Sequence, residues 1–261
     1  GLVRQALPCA RGLADTLPQS IRQAHHLAAA EFALTAIHFP PDDRALELAR
    51  RRLAFEELFY LAVGLAFLKR RRMTGAPGCR VPALPVDQFA ALLPFSPTDA
   101  QRRTMEEAAR DMASGRPMNR LVQGDVGSGK TVVAAYAGWL AVQGGFQAAM
   151  MAPTEVLAEQ HFRTLSALLS PAGVRVGLLT GAMTAAQKRK VHAALAAGDI
   201  DFVVGTHALL SQGVAFRRLA LIVTDEQHRF GVEQRSALAE KSAAGGMPSP
   251  HVLVMSATPI P

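Results

Sequence analysis

Eight residues near the middle of the chain read Gly124-Asp125-Val126-Gly127-Ser128-Gly129-Lys130-Thr131. They match the phosphate-binding pattern G-x-x-x-x-G-K-T, known as the P-loop. A short apolar segment ends at Gln123, just before them, and an apolar helical pattern runs from Val132 to Val142 after them. The order strand, loop and helix is the context in which this pattern binds phosphate, whereas the alternative is a flexible Gly/Ser turn.

The residue types of the P-loop suit the phosphates of a nucleotide. Glycines 124, 127 and 129 let the backbone turn its N–H groups inward around a triphosphate, and the helix that follows adds the positive end of its dipole. Lys130 would reach the β- and γ-phosphates, and the Thr131 hydroxyl would hold Mg²⁺. We therefore expect this stretch to bind ATP with Mg²⁺.

A second candidate for the same chemistry is an apolar segment that begins at Leu219 and ends in the acidic pair Asp225 and Glu226. The Mg²⁺ ion at a P-loop needs a carboxylate from another strand, and Asp225 is predicted to provide it. Glu226 is predicted to orient and deprotonate the attacking water. Acidic pairs at strand ends are common, so it is the P-loop upstream that favours a catalytic interpretation of Lys130, Asp225 and Glu226.

Short apolar runs alternate with helical patterns from about residue 92 onward. The expected strands cover residues 120–123, 147–151, 174–179, 202–204, 220–223 and 252–255, and helices are expected over 98–114, 130–143, 155–169 and 184–197. Strands that alternate with helices indicate a mostly parallel sheet covered on both faces. The fold class is therefore α/β, with a P-loop domain over residues 93–261.

Residues 1–92 show no strand alternation and are interpreted as a helical region. Helices are expected over 17–28 and 30–37, and a long helix, capped by Asp42 or Asp43, is expected to run to residue 72. The second half of the long helix is apolar nearly all round, so we expect it to be buried between domains.

Composition narrows the class of protein. The 261 residues carry 28 basic and 21 acidic side chains, for a net charge of +7, and Arg outnumbers Lys. This balance favours a polyanionic partner, although genome base composition also explains a high Arg content. Cys9 and Cys79 form no zinc motif or disulfide framework, which fits a reducing cytoplasm. The apolar run from Leu58 to Leu68 has 11 residues, too few to span a bilayer.

Several short segments of the sequence resemble the motifs of superfamily 2 helicases. Asp225-Glu226-Gln227-His228 resembles their D-E-x-H box, and Ser256-Ala257-Thr258 resembles their S-A-T motif. Residues 152–161 are similar to motif Ia and residues 205–209 to motif Ib, while Phe95 with Thr98 and Gln101 resembles the adenine-sensing Q motif. The resemblance implies a RecA-like helicase lobe.

Two further sets of residues resemble one branch of that superfamily. The extension Arg229-Phe230-Gly231-Val232 is shared by the RecG family of fork-remodelling helicases and by the Mfd translocases. Residues 36–40 and 50–58 resemble the RecG link between the wedge domain and the motor. The resemblance implies that residues 1–92 are linker helices and that residues 93–261 are the first motor lobe. We expect a fragment, because the chain has no initiator Met and neither a wedge nor a second lobe.

The resemblance also implies roles for single residues. Phe95 and Gln101 would contact the adenine, and His228, Ser256 and Thr258 would couple the nucleotide cleft to DNA. The residues expected to hold DNA phosphates are Pro153, Thr154, Gly181, Thr206 and His207. Helix capping is the alternative for Thr154 and Thr206, and a plain turn is the alternative for Gly181. The basic residues 188–190 are interpreted as a solvated face.

The expected function is that of an ATP-binding lobe in an ATP-dependent helicase that remodels branched DNA, with branched or double-stranded DNA as partner and no membrane. In the family the second lobe provides the arginine fingers, so this chain alone is expected to be nearly inactive as an ATPase. The alternatives are an Mfd-like translocase of double-stranded DNA, a small-molecule P-loop kinase, and a non-catalytic interaction module.

Overall fold

A computed structural model describes residues 1–10, 12, 14–73, 77–225, 237–238 and 246–257. The chain divides into two compact units, residues 1–72 and residues 73–261. The first unit is helical and the second contains the sheet. We had expected the boundary near residue 92. The difference arises because the buried side chains of residues 79–89 belong to the core of the second unit.

The helices of the first unit are α1 (Leu2–Ala6), α2 (Gln19–Ala24), α3 (Ala30–His38) and α4 (Asp43–Met73), with a 3₁₀ turn at Leu7–Ala10. The buried alanines of α3 and α4 form a small core. Asp42, one of the two predicted caps, accepts a hydrogen bond from the Ala45 N–H at 2.7 Å. Helix α2 is shorter than predicted because His26 adopts a positive φ of 51°, which ends the helix.

A buried arginine ties the loop before α2 to helix α4. The Arg52 side chain is fully buried and pairs with Asp15 at 2.7 Å and Glu56 at 2.6 Å. Asp15 also accepts hydrogen bonds from the N–H groups of Leu17 and Ala30. Burial pushes the pKa of Asp15 upward, but these hydrogen bonds and Arg52 outweigh it and hold the pKa below its ordinary value. The unit therefore depends on a buried ionic cluster as well as on its alanine core.

The second half of α4 differs from our expectation. We expected it to be buried, but its large apolar side chains are exposed, with Leu58 and Phe67 each 65% accessible. At 31 residues α4 is about 46 Å long, whereas the other described helices of its unit have five to nine residues and are too short to cover it. No described helix is long and apolar enough to cross a membrane.

The second unit is a six-stranded sheet in the order β1-β6-β5-β2-β4-β3, with every described pairing parallel. Its strands are β1 (Asn119–Gln123), β2 (Gln147–Met151), β3 (Val176–Leu179), β4 (Phe202–Gly205), β5 (Leu219–Asp225) and β6 (His251–Ser256). Its helices are α5 (Val86–Ala90), α6 (Asp99–Ala113), α7 (Lys130–Gln143), α8 (Glu155–Leu169) and α9 (Ala185–Ala197). The predicted parallel α/β fold is confirmed, and α7, α8 and β2 begin and end where the sequence predicted.

Helix α7 is the central helix of this unit, because ten consecutive residues, 132–141, are buried. Trp139 is 5% exposed and lies with Tyr136 against Phe89 of α5. The Tyr136 hydroxyl donates to the Leu84 carbonyl at 2.7 Å, which fixes the segment before α5. These contacts fix α7 against the core. The first residues of α7 belong to the P-loop.

A buried histidine joins the start of this unit to the sheet. His251 is fully buried, and its Nδ1 accepts a hydrogen bond from the Met118 N–H at 3.0 Å. Its Nε2 therefore carries the proton and donates to the Cys79 carbonyl at 2.7 Å. Burial lowers the pKa of His251 below its ordinary value, although the Cys79 carbonyl acts in the opposite direction. The ring is neutral in the fold, and protonation removes the acceptor for Met118.

We expect the unfolding free energy of the sheet unit to decrease as the pH falls below about 6.5, the ordinary pKa of histidine. The unfolded chain then binds a proton that folded His251 resists, so one histidine contributes a slope of up to about 1.4 kcal/mol per pH unit. Urea unfolding at several pH values measures it. A His251→Gln variant should lose this slope, whereas the exposed His207→Gln control should keep it, and equal slopes would contradict the assignment.

Candidate nucleotide-binding site

The residues singled out in the sequence converge on one edge of the sheet. All six strands are parallel, so their carboxyl ends lie at the same edge, which is where open α/β sheets bind ligands. The P-loop follows β1, Pro153 follows β2, Thr180 follows β3, Thr206 follows β4, and β5 ends at Asp225. Because β6 lies between β1 and β5, Ser256 is placed between the P-loop and Asp225.

The P-loop has the backbone conformation that phosphate binding requires. Gly127 and Gly129 have φ values of 82° and 79°, a region that only glycine adopts without strain. Gly129 is the N-cap of α7, so the free N–H groups of this 14-residue helix point into the loop. Asp125, Val126 and Ser128 are exposed around it, with Val126 90% accessible. The loop is therefore an open cradle at a helix N-terminus.

Lys130 folds back over this cradle. Its Nζ donates to the Gly124 carbonyl at 2.6 Å and to the Asp125 carbonyl at 2.8 Å. Carbonyl oxygens are weaker partners for an ammonium than phosphate oxygens, because phosphate oxygens carry a negative charge. Lys130, the half-buried Thr131 and Asp225 form the donor and ligand set that suits a phosphate chain with Mg²⁺. The residues present therefore fit the nucleotide and its metal.

Gln101 contacts the P-loop from helix α6. Its Nε2 donates to the Ser128 carbonyl at 2.9 Å, and its Oε1 accepts from the Thr98 N–H in a capping box at the start of α6. A Cβ added at Gly129 would lie 2.3 Å from the same Nε2, so Gly129 also makes room for this side chain. Phe95 is 46% exposed and lies in the segment before the cap. The Q-motif glutamine and the P-loop are thus one connected structure.

Asp225 contacts a residue that the sequence interpretation did not select. Its Oδ2 lies 2.6 Å from Nε2 of His161 on α8, and both side chains are largely buried. His161 is the last residue of the segment that resembles motif Ia, and nothing in the sequence spacing links it to Asp225, 64 positions away. Glu226 lies outside the described residues.

Ser256 is joined directly to the P-loop. It is 2% exposed, and its carbonyl accepts a hydrogen bond from the Gly124 N–H at 3.2 Å, extending the β1–β6 pairing by one residue. The end of β6 is therefore hydrogen-bonded to the first glycine of the loop. His228 and Thr258, the other two predicted coupling residues, lie outside the described residues.

The predicted DNA-contact residues follow β2, β3 and β4, away from the P-loop end of the edge. Thr154 is exposed, and its hydroxyl caps α8 by accepting from the Leu157 N–H at 3.3 Å, so the capping interpretation describes this side chain. Thr206 is only 8% exposed, and its N–H donates to the Leu179 carbonyl at 3.2 Å. Pro153 is half-buried, whereas Gly181 and His207 are exposed.

The loop at Gly181 and Ala182 is held by two charged side chains. The Glu155 carboxylate, in the first turn of α8, accepts from the Ala182 N–H at 2.7 Å, and Nζ of Lys188 donates to the Gly181 carbonyl at 2.6 Å. A Cβ at position 181 would lie 2.9 Å from the Glu155 carboxylate, so that side chain would have to shift to accommodate it. The loop after β3 is thereby fixed to the start of α8. We interpreted Lys188 as part of a solvated face, but its ammonium also donates a hydrogen bond to this loop.

Comparisons with known proteins agree with this geometry. The DEAD/DEAH box helicase family model matches residues 98–261. Curated relatives include RecG ATP-dependent DNA helicases from Synechocystis sp., 49% identical over 95% of this chain, and from Bacillus subtilis, 45% identical over 99%. This chain spans only 30% and 38% of those two relatives.

A solved structure of RecG bound to a three-way DNA junction is 41% identical, with a TM-score of 0.81 over the whole of this chain and 35% of that one. The yeast DEAD-box splicing factor Prp28, 19% identical with a TM-score of 0.52, shares the fold alone. The chain belongs to the DEAD/DEAH box helicase family and carries a RecG-like helicase motor domain.

Proposed function

We propose that this chain is the ATP-binding first lobe of the motor in a RecG-like helicase, which remodels branched DNA such as stalled forks and Holliday junctions in the cytoplasm. The observation that carries the proposal is the shared edge of the sheet, where the P-loop, Ser256 and Asp225 lie on three neighbouring strands. The identity of 42–49% to RecG helicases over nearly the whole chain favours this function over an Mfd-like translocase or a small-molecule kinase.

In this proposal Lys130 and the N–H groups of the P-loop bind the phosphates, while Thr131 and Asp225 hold Mg²⁺. The metal, when bound, neutralises the charge that develops on the phosphates. Gln101 reaches the P-loop directly and, with Phe95, would form the adenine side of the site. Glu226 would activate water, and the coupling residues would be His228, Ser256 and Thr258.

DNA would bind along the part of the edge formed by β2, β4 and β3. The relative in the solved structure binds a three-way DNA junction, and the net charge of +7 favours a polyanion. Glu155 at the start of α8 holds the loop at Gly181 through the Ala182 N–H, so phosphates would meet a surface whose two segments are fixed to each other. The exposed His207 lies after β4, next to this surface, with the buried Thr206 supporting it.

The longer protein would contribute the rest of the motor. We propose that residues 1–92 include the linker helices that join a wedge domain to the motor, and that a second RecA-like lobe closes the nucleotide cleft. The exposed apolar second half of α4 is consistent with a helix that has neighbours in a longer chain.

We expect this chain to bind forked DNA weakly, without sequence preference and with strong dependence on salt. Each phosphate contact makes the slope of log affinity against log salt more negative by about 0.9, so even about three contacts weaken binding more than about tenfold between about 50 and 200 mM salt. Fluorescence anisotropy with two forks of unrelated sequence, between about 50 and 200 mM salt, measures it. Strong selectivity for one sequence, or binding insensitive to salt, would contradict the DNA-motor function and favour the alternatives.

A further inference from the structure

The contact between His161 and Asp225 joins motif Ia to the carboxylate assigned to Mg²⁺. His161 lies in the second turn of α8, the helix that follows β2, and Asp225 is the last residue of β5. The two strands are hydrogen-bonded neighbours, with Met151 opposite Thr224. The pair is therefore a direct consequence of the strand order, and 2.6 Å between Nε2 and Oδ2 is a close hydrogen bond.

The direction of this hydrogen bond follows from the chemistry of the two groups. An ionised carboxylate only accepts, so the imidazole donates from Nε2 to Oδ2 of Asp225. The side chains are 12% and 17% exposed, so little water competes for either partner. Oδ2 of Asp225 therefore accepts a hydrogen bond from His161.

Helix α8 holds the imidazole firmly in place. The buried residues of α8 are Ala158, Leu165, Leu168 and Leu169, which belong to the main core of the sheet unit. At its first turn Glu155 accepts from the Ala182 N–H, which fixes the helix against the loop after β3. A side chain on such a support can impose an orientation on its partner.

We propose that His161 is a positioning residue for Asp225, holding the carboxylate in the orientation in which its other oxygen serves the Mg²⁺ ion of the bound nucleotide. This inference rests on the proposed function, since it assumes that nucleotide and metal bind at this edge. Hydrogen-bond partners of metal-binding carboxylates and imidazoles orient them, and their loss costs about 10–100-fold in metal affinity. His161 should therefore contribute to the part of nucleotide affinity that depends on Mg²⁺.

Binding of metal-free nucleotide should not depend on His161. That binding uses Lys130 and the N–H groups of the P-loop, which follow β1, and two strands separate β1 from β2 in the sheet. The comparison of affinities with Mg²⁺ and with a chelator therefore separates a positioning role from a general effect on the fold.

The test measures the Kd of a non-hydrolysable ATP analogue for the 261-residue chain, with Mg²⁺ and with EDTA. Three variants change His161. His161→Gln can still donate from its amide near the position of Nε2, His161→Asn is too short to reach Oδ2, and His161→Leu cannot donate. Arg163→Ala, an 80% exposed position on the same helix, is the matched control. Titration of bound Mn²⁺ by electron paramagnetic resonance gives a second readout that does not depend on hydrolysis.

We expect His161→Leu and His161→Asn to weaken binding about tenfold or more in Mg²⁺ and to leave binding in EDTA unchanged. His161→Gln should recover most of the loss, and Arg163→Ala should behave as the unaltered chain. If His161→Leu fails to fold, the inference is tested by comparing the affinities of His161→Asn and His161→Gln. Equal affinities in Mg²⁺ for all variants, or equal losses with and without metal, would overturn the inference. If the unaltered chain binds no nucleotide in either buffer, the proposed function itself fails.

Discussion

Residues 1–261 should hydrolyse ATP at least about 10³-fold more slowly than a longer chain that contains the second motor lobe, because an arginine finger supplied from outside this lobe contributes about 10³–10⁵ in rate. The described residues that we propose contact the phosphates from this lobe are Lys130 and Thr131, with Asp225 proposed for the metal. In this proposal they bind and orient the nucleotide, and none of the three supplies a second cation for the transition state.

Phosphate release from both chains, with and without forked DNA, measures this difference. DNA should stimulate the longer chain and leave the 261-residue chain near the uncatalysed background. The separation of roles between two lobes would be wrong if both chains hydrolysed ATP at the same rate.

Replacing Glu226 by Gln in the longer chain should reduce turnover by about 10²–10⁴-fold while nucleotide affinity stays unchanged. The amide keeps the shape of the side chain but cannot accept a proton from the attacking water. Asp225, one residue earlier, is the residue that should affect metal-dependent binding instead. Steady-state hydrolysis and equilibrium binding, measured on the same preparation, distinguish the two effects.

Glu57→Gln, an exposed carboxylate on α4, provides a control for the loss of one negative charge. Weakened binding together with slowed turnover in Glu226→Gln would indicate that Glu226 holds the nucleotide rather than the water.

The fold could be predicted from the sequence where local signals agreed. Helices α7 and α8 were predicted to the residue, because α7 begins at the last two residues of the P-loop and α8 begins directly after its cap at Thr154. The strand ending at Asp225 was predicted because a long apolar run stops at an acidic residue. The parallel sheet followed from the alternation of these elements.

Other features depended on tertiary contacts that the sequence does not reveal. The contact of His161 with Asp225 requires β2 and β5 to be neighbours, and strand order is not readable from spacing. Residues 79–89 join the sheet unit because Cys79 and Phe89 are buried there, although no periodic pattern marks them. The end of α2 depends on a positive φ at His26, an unusual conformation for a residue other than glycine.

Equilibrium titration of the 261-residue chain with Mg²⁺ and a non-hydrolysable ATP analogue shows whether its P-loop is a nucleotide site. Lys130→Ala removes a charge-assisted contact worth about 1.5–3 kcal/mol, so affinity should fall about tenfold or more. Lys188→Ala is the matched control, since Lys188 also donates from Nζ to a backbone carbonyl, that of Gly181, but on the loop after β3. We expect Lys130→Ala to lose nucleotide affinity and Lys188→Ala to keep it. Unchanged affinity in Lys130→Ala would contradict a nucleotide site at the P-loop.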